Sequence, residues 1–193
     1  YGDANFFAPK ASYSASGNPV RELKELVREL HRNGIELILE FYFPDRTSPY
    51  LIRDCICYWM AEYHIDGVHV NSQGAPVVDL AQDPKLSGIK IMSESFPLEN
   101  IYDPDYIPAY RRLAEYNDGF LQRARQFLRG DEDMLGQIAW SMRRNPPQNA
   151  VVNYMAYHNG FTLFDAVTYD VKHNEANGEN NRDGNNYNYS CNY

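Results

Sequence analysis

Residues 20–43 read VRELKELVRELHRNGIELILEFYF, and this stretch decides the fold class. Over Val20–Asn33 apolar side chains recur at the three-to-four-residue spacing of one helix face. Gly34 predicts the end of that helix, because glycine adopts a left-handed C-terminal cap at little cost. The apolar run Ile35–Phe43 that follows at once predicts a buried strand. A helix leading directly into a buried strand is typical of a parallel βα fold.

The same alternation continues outward from this stretch and predicts an α/β fold with parallel strands and helices packed outside. The predicted helices are 49–63, 77–82, 120–129, 134–142 and 162–169. The predicted strands are 65–71, 89–93, 113–116 and 150–157, with a further one near Asn5–Ala8. A chain of 193 residues is short of the roughly 250 residues of a closed eightfold barrel.

Composition excludes several classes of partner. The net charge of −8 argues against a nucleic-acid partner, which favours a basic surface. No apolar run approaches the roughly 18 residues of a membrane span.

The three cysteines Cys55, Cys57 and Cys191 suit neither a disulfide framework nor a zinc site. The chain opens on Tyr1 in mid-pattern, as a piece of a longer protein would, and the lack of a visible signal favours the cytoplasm without establishing the compartment.

The carboxyl ends of the predicted strands are the expected place for functional side chains, as in other parallel βα folds. Four strand ends carry polar or aromatic residues. They are Glu40–Pro44, His69–Asn71, Ser93–Ser95 and Tyr157–Gly160.

Several ordered segments resemble one family, the isoamylase, glycogen-debranching and pullulanase-like branch of glycoside hydrolase family 13, the α-amylase family. Tyr58–Gly67, YWMAEYHIDG, is similar to the branch's YWVTEYHVDG, and Asn5–Pro9 is similar to its NFFAP. Asp83–Glu94 resembles the segment that carries the acid glutamate. Asn117–Asp131 resembles WND…VRRFWRGD, and Tyr157–Tyr189 contains GFTL and KHNEANGENNRDG.

This resemblance implies a partial (β/α)8 TIM-type barrel, about strands two to seven, over residues 1–172. The long B domain that follows an early strand in the family is missing, since only Arg46–Ser48 separates Asp45 from Pro49. Residues 173–193 form an Asn- and Gly-rich tail, interpreted either as an unstructured polar loop or as a loop on the glucan-binding face. The open barrel edges are expected to be covered by the tail, by a partner chain, as in self-association, or by a rearranged sheet.

Retaining glycoside hydrolysis needs two carboxyl groups, one an ionised nucleophile and one an acid with a raised pKa. The resemblance places the acid/base position at Glu94, the nucleophile position at Asn71 and the third carboxylate position at Asn159. His69 stands where the family has an arginine, and His158 precedes Asn159. Both histidines are candidate substrate-binding residues, or barrel-mouth histidines with purely structural partners.

The two asparagines predict a loss of hydrolysis. An amide cannot form the usual glycosyl ester. Each lost charge is expected to cost on the order of 10²–10³ in rate, and loss of the nucleophile more. The segment Glu40–Asp45 lacks the family's calcium-binding asparagine, so no metal is expected, and no cofactor is implied. Glu94, which lies between two serines, is also interpreted as a plain strand-end carboxylate hydrogen-bonded to its neighbours.

Three functional hypotheses follow from these residues. The first is an inactive debranching-enzyme-like domain that binds α-glucan or acts as an interaction module. The second is an active glycosidase that cleaves α-1,6 or α-1,4 bonds in glycogen, starch or pullulan, with Asp45, Asp66 or Asp79 as a second carboxylate. The third is a truncated piece that is stable only with its missing strands or in an oligomer.

Overall fold

The computed structural model describes residues 5–158 and 160–193, and it confirms the predicted alternation. The strands follow one another in chain order across a single sheet. They are β1 (Ile38–Phe41), β2 (Gly67–Val70), β3 (Lys90–Ser93), β4 (Leu113–Tyr116) and β5 (Ala150–Val152). The first three neighbouring pairs are parallel, with Glu40 opposite His69 and Ser93 opposite Glu115. Self-association through the edge strands β1 and β5 stays a prediction.

Six of the seven described α-helices lie where the periodicity of the sequence predicts them, and the short helix at Leu98–Ile101 was not predicted. The seven are α1 (Pro19–Arg32), α2 (Pro49–Tyr63), α3 (Val77–Gln82), α4 (Leu98–Ile101), α5 (Asp118–Arg129), α6 (Met134–Arg143) and α7 (Leu163–Thr168). The start of α1 is fixed locally, because the Asn18 side chain accepts a hydrogen bond from the N–H of Arg21 and Pro19 occupies the first turn. None of the helices described is long and apolar enough to cross a membrane.

The core of the fold lies between one face of the sheet and the helices that cover it. Val68, Val70 and Ile91 on that face are fully buried. They belong to the same apolar cluster as Ile52 and Ile56 of α2. Burial of such side chains contributes roughly 1.5–3 kcal/mol each, so this layer holds β2 and β3 in the positions that support the candidate site.

The chain divides into two compact units. The first runs to Glu115 and includes Pro147–Ala150, and the second consists of Tyr116–Pro146 and Val151–Tyr193. In the second unit α5 packs on α6, where Arg123 Nη1 donates to Ser141 Oγ over 3.1 Å. The domain boundary expected after residue 172 stays a prediction.

The strand predicted near Asn5–Ala8 is wrong. These residues form a turn, in which the Asn5 side chain accepts from the N–H of Phe7 at 2.9 Å. An asparagine that bonds its own backbone two residues on favours a turn over a ladder. The carbonyl of Phe6 is also occupied, since Trp59 Nε1 donates to it over 2.6 Å. Five strands rather than six therefore make up the described sheet.

Two predicted strands are shorter than their apolar runs. The run Ile35–Phe43 contributes only β1. Before β1 begins, both main-chain polar groups of Leu37 bond Asp66: the Leu37 N–H donates to the Asp66 carboxylate over 2.7 Å, and the Leu37 carbonyl accepts from the Asp66 N–H at 3.0 Å. The run 150–157 contributes only β5. Beyond it, the carbonyl of Met155 accepts from the buried side chain of Arg125 at 2.9 Å and not from a neighbouring strand.

The connection from β1 to α2 is short, as the sequence predicts, and covers only residues 42–48. In the Asn-rich tail, asparagine side chains form hydrogen bonds with the main chain. Asn181 Oδ1 accepts from the N–H of Asn174 at 3.0 Å, and its Nδ2 donates to the carbonyl of Lys172 over 3.1 Å. Such side-chain bonds replace a regular ladder, which explains why an Asn-rich segment folds without strands.

Candidate functional site

Asn71 and Glu94 lie at neighbouring strand ends. Asn71 directly follows β2 and Glu94 directly follows β3, and these two strands pair in parallel. The carboxyl ends of parallel strands meet at one edge of the sheet. The fold therefore brings together the positions that the sequence assigns to the nucleophile and to the acid.

The side chain of Asn71 is bound to the main chain at the end of β1. Its Oδ1 accepts from the N–H of Phe43 at 2.8 Å, and its Nδ2 donates to the carbonyl of Phe43 over 3.0 Å. Phe43 itself is fully buried. An amide can donate and accept at once, whereas an ionised carboxylate can only accept. The residue at the nucleophile position thus joins β1 to β2.

The turn after Asn71 packs tightly on the same main-chain group. A Cβ added at Gly74 would lie 2.0 Å from the carbonyl oxygen of Phe43 and 2.5 Å from Asn71 Nδ2. Only glycine fits at this distance. The close approach packs the turn at Gly74 against the Asn71 amide and the Phe43 carbonyl.

Glu94 is exposed and accepts hydrogen bonds from two serines. The N–H of Ser72 donates to its Oε2 over 2.7 Å, and Ser93 Oγ lies 3.4 Å from the same oxygen. Burial of part of the carboxyl raises its pKa, but the hydrogen bonds from Ser72 and the charge of His69 oppose it, and on balance the pKa of Glu94 is lowered. Glu94 is therefore ionised at neutral pH, whereas a general acid needs a raised pKa.

His69 lies two residues before Asn71, within β2, and is 6% exposed. Its Nδ1 is 3.7 Å from Oε1 of Glu40, the residue opposite it on β1. This distance is too long for a good hydrogen bond. The candidate substrate-binding histidine is thus buried beside a carboxylate of its own sheet.

His158 belongs to the second unit. It is exposed, and the centroid of its ring is 4.2 Å from that of Tyr157. Asn159, the third carboxylate position, lies outside the described residues. Asn71, Glu94 and His69 form one local group in the first unit, and His158 is described with its own unit only.

The other carboxylates proposed as partners of Glu94 have different surroundings. Asp66 precedes β2, at the end of the strand opposite to Asn71, and its Oδ2 lies 2.8 Å from His31 Nε2. Asp45 and Asp79 are exposed, the first in the β1–α2 connection and the second on α3. Asp66 in particular is at the wrong end of the sheet to work with Glu94.

The described groove of the first unit lies away from this edge, and the described residues contain no cluster of metal ligands. A groove of about 930 Å³ runs along α1 and the end of α2, and none of Asn71, Glu94 and His69 lines it. Within residues 5–158 and 160–193, no three His, Cys, Asp or Glu side chains are placed to hold a metal ion.

Sequence reasoning missed two partners of the site. Ser72 N–H bonds Glu94, and the main chain of Phe43 bonds Asn71. The alternation along β1 places Glu40 on one face, but its pairing with His69 depends on the strand register. Every residue except proline has a main-chain N–H, so the amino-acid sequence does not show that the Ser72 N–H bonds Glu94. Only the geometry of the turn shows this partner.

Comparisons with known proteins give homologues by sequence. No protein-family model matches the chain. It is 31% identical over 266 residues to "Isoamylase 3, chloroplastic" of Oryza sativa subsp. japonica, a match covering all of this chain and 34% of that protein. It is 27% identical over 284 residues to "Isoamylase SU1, chloroplastic" of Zea mays, covering all of this chain and 36% of that one. It is 30% identical over 265 residues to "Glycogen operon protein GlgX homolog" of Mycobacterium tuberculosis, again covering all of this chain and 36% of the relative.

The chain spans about a third of the length of these curated relatives. The matched stretch of 266 residues in the rice protein also exceeds the 193 residues of this chain, as expected if this chain lacks a segment that the relative has. A solved structure titled pullulanase type I from Bacillus subtilis str. 168 complexed with maltose is similar with a TM-score of 0.60 at 19% identity, over 86% of this chain and 34% of that one. This likeness shows the fold, a partial βα barrel.

Proposed function

This chain is a homologue of the isoamylases and GlgX proteins, the debranching branch of glycoside hydrolase family 13, and we propose that it is a degenerate domain of that branch that binds α-glucan and does not hydrolyse it. The relatives are named for debranching or for the glycogen operon, and the structural neighbour holds maltose. An α-linked glucose polymer is therefore the ligand class that the relationship favours.

The observation that carries the loss of hydrolysis is the hydrogen bonding of Asn71. Both polar atoms of its amide bond the main chain of Phe43. A nucleophile must present an oxygen to the anomeric carbon in the transition state. An amide that is neutral and occupied on both sides supplies neither the charge nor a free oxygen.

Glu94 supports the same proposal. Its hydrogen bond from Ser72 stabilises the ionised form, so at neutral pH it has no proton to give to a leaving group. The seven-residue connection 42–48 leaves one side of this edge without the wall that an inserted domain would supply. Water then reaches the site and weakens each electrostatic contact with the transition state.

Release of reducing ends from glycogen and pullulan tests the proposal. We expect the unmodified chain and its Glu94→Gln variant to give the same background, while an isoamylase assayed in parallel gives full release. Activity of the unmodified chain well above the variant would overturn the loss of hydrolysis and favour the active glycosidase instead. Retention of the chain in a native gel containing amylopectin tests glucan binding separately, since binding and hydrolysis are measured in different assays.

A further inference from the structure

The groove along α1 and the end of α2 is basic, although the net charge of the whole chain is −8. Its volume is about 930 Å³, and all of the residues that line it belong to the first unit. The lining cations outnumber the lining carboxylates, which are Glu25 and Glu62. The lysine and arginine residues of the lining are Arg21, Lys24, Arg28 and Arg32. We name these four residues the basic row.

The basic row follows one face of α1. Arg28 lies four residues after Lys24 and four before Arg32, and Arg21 lies three residues before Lys24. Residues three and four apart are neighbours on the surface of a helix. With a rise of about 1.5 Å per residue, Lys24, Arg28 and Arg32 follow one another in steps of roughly 6 Å along the helix axis. The row is therefore a line of positive charges with a regular spacing.

Arg28 lies between two other cations of the basic row and is exposed. Within residues 5–158 and 160–193 no carboxylate forms an ion pair with it. Like charges four residues apart on a helix repel each other. Attraction to the C-terminal end of the helix dipole accounts for the cations of the last turn, His31 and Arg32, but Lys24 and Arg28 lie before that turn. A bound anion would neutralise the repulsion at Arg28.

The other three cations of the basic row form ion pairs at the surface. These pairs are Arg21–Glu25, Lys24–Glu62 and Arg32–Glu29. In each pair both side chains are at least 43% exposed. An exposed ion pair contributes only about 0–1 kcal/mol to stability. A carboxylate of a ligand can therefore replace the glutamate of such a pair at little cost.

We propose that the basic row is a docking site for an extended acidic segment of a partner protein, in which every second residue is Asp or Glu. Alternate side chains of an extended chain lie on one side and are about 6.6–6.8 Å apart, close to the step between Lys24, Arg28 and Arg32. Arginine binds a carboxylate through two parallel hydrogen bonds, which adds specificity to the charge. The groove does not include Asn71 or Glu94, so this interaction is independent of glucan binding.

A single-stranded nucleic acid is the other polyanion that a basic groove can accept. Such a strand is typically held by exposed aromatic rings on which its bases stack. Tyr63 lines the groove but is 2% exposed, and Lys24 Nζ lies over its ring, 5.5 Å from the centroid. A long polyanion is also repelled by a chain of net charge −8. A short acidic segment meets mainly the groove, because salt screens exposed charges beyond about 8–10 Å.

The experiment measures the fluorescence anisotropy of a labelled peptide of alternating glutamate and serine, titrated with the unmodified chain at low salt. We expect Arg28→Glu to weaken binding about tenfold, because the change removes an attraction and adds a repulsion at the centre of the row. Arg46→Glu is the matched control and should stay within about twofold. Arg46 is exposed in the β1–α2 connection of the same unit and does not line the groove, and its variant has the same net charge.

Several results would overturn the docking site. The first is no binding of the peptide by the unmodified chain, and the second is equal affinity of the two charge-reversed variants, which would mean that net charge alone decides. A glutamine–serine peptide that binds as well as the glutamate–serine peptide would also overturn it.

The identity of the occupant is tested in parallel. A labelled oligothymidylate that binds more tightly than the peptide and is released by Arg28→Glu would make the occupant a nucleic acid and the proposal wrong. Salt-sensitive dimerisation that Arg28→Glu abolishes would make it a second copy of this chain, again against the proposal. Should Arg28→Glu fail to fold, amide NMR shifts of the unmodified chain decide: the glutamate–serine peptide must shift signals within residues 18–32 and 62–64, and unchanged signals there overturn the site.

Discussion

The side-chain amide of Asn71 forms two hydrogen bonds with the main chain of Phe43. It accepts from the Phe43 N–H at 2.8 Å and donates to the Phe43 carbonyl over 3.0 Å. Two residues 28 positions apart thereby join the ends of β1 and β2. The residue that the sequence resemblance assigns to the nucleophile position thus connects two strand ends. Each such part-buried hydrogen bond contributes on the order of 1 kcal/mol, and more is lost when one partner is left unpaired.

Asn71→Asp is expected to destabilise the first unit by about 1–3 kcal/mol at pH 7, because the carboxylate cannot donate to the Phe43 carbonyl and places a second acceptor beside it. The loss should be smaller at pH 4 than at pH 7, since a protonated carboxyl can donate again. Urea denaturation at both pH values measures it. The exposed Asn100→Asp is the charge-matched control, and equal losses in the two variants would contradict the connecting role.

Asn71→Asp combined with Asn159→Asp is expected to restore no release of reducing ends from pullulan. The nucleophile works only in a shaped, water-poor cleft with aligned partners, and here His69 stands beside Glu40 and the β1–α2 connection is short. Turnover by this double variant that disappears on adding Glu94→Gln would show that the carboxylates were the main loss.

Glu22 is expected to titrate far below an ordinary glutamate. Hydrogen bonds from Ser16, Ser14 and Ala15 lower its pKa from 4.5 to about 2. A lowered folded-state pKa means that the contacts stabilise the folded chain above pH 4.5 and are lost as the pH falls through about 2. Glu22→Gln should speed amide exchange at Ala15 and Ser16 at pH 6, measured by NMR, while Glu29→Gln should leave it unchanged.

Removal of Arg125 is expected to loosen the second unit. Its guanidinium donates to the carbonyls of Met155, Phe161 and Asn188 at 2.9–3.0 Å. Arg125→Ala leaves three carbonyls without this donor and should cost about 3 kcal/mol or more, while Arg125→Lys should cost less because one donor group remains. Proteolysis rates within residues 155–190 measure the effect. The exposed Arg143→Ala should cleave like the unmodified chain, and equal rates for Arg125→Ala would refute the role.

Much of the fold could be predicted because its signals are local. The spacing of apolar residues and the Asn18-Pro19 start define α1, and the apolar run after Gly34 leads into β1. The strand predicted near Asn5 is a turn for two reasons: the Asn5 side chain accepts from the nearby N–H of Phe7, and Trp59 donates to the carbonyl of Phe6 across 53 residues. Local patterns do not contain the second of these contacts.

The sequence by itself determined which chemical groups the site can contain. Positions 71 and 159 are amides and position 94 is a carboxyl, and no fold can change that. Only the tertiary structure decided what these groups do: that Asn71 binds Phe43, that Ser72 lowers the pKa of Glu94, and that Tyr116 meets Tyr154 and Tyr157. The reason is physical, because a functional group is covalent and fixed by the residue, whereas its hydrogen-bond partners and its dielectric surroundings come from segments that are close only after folding.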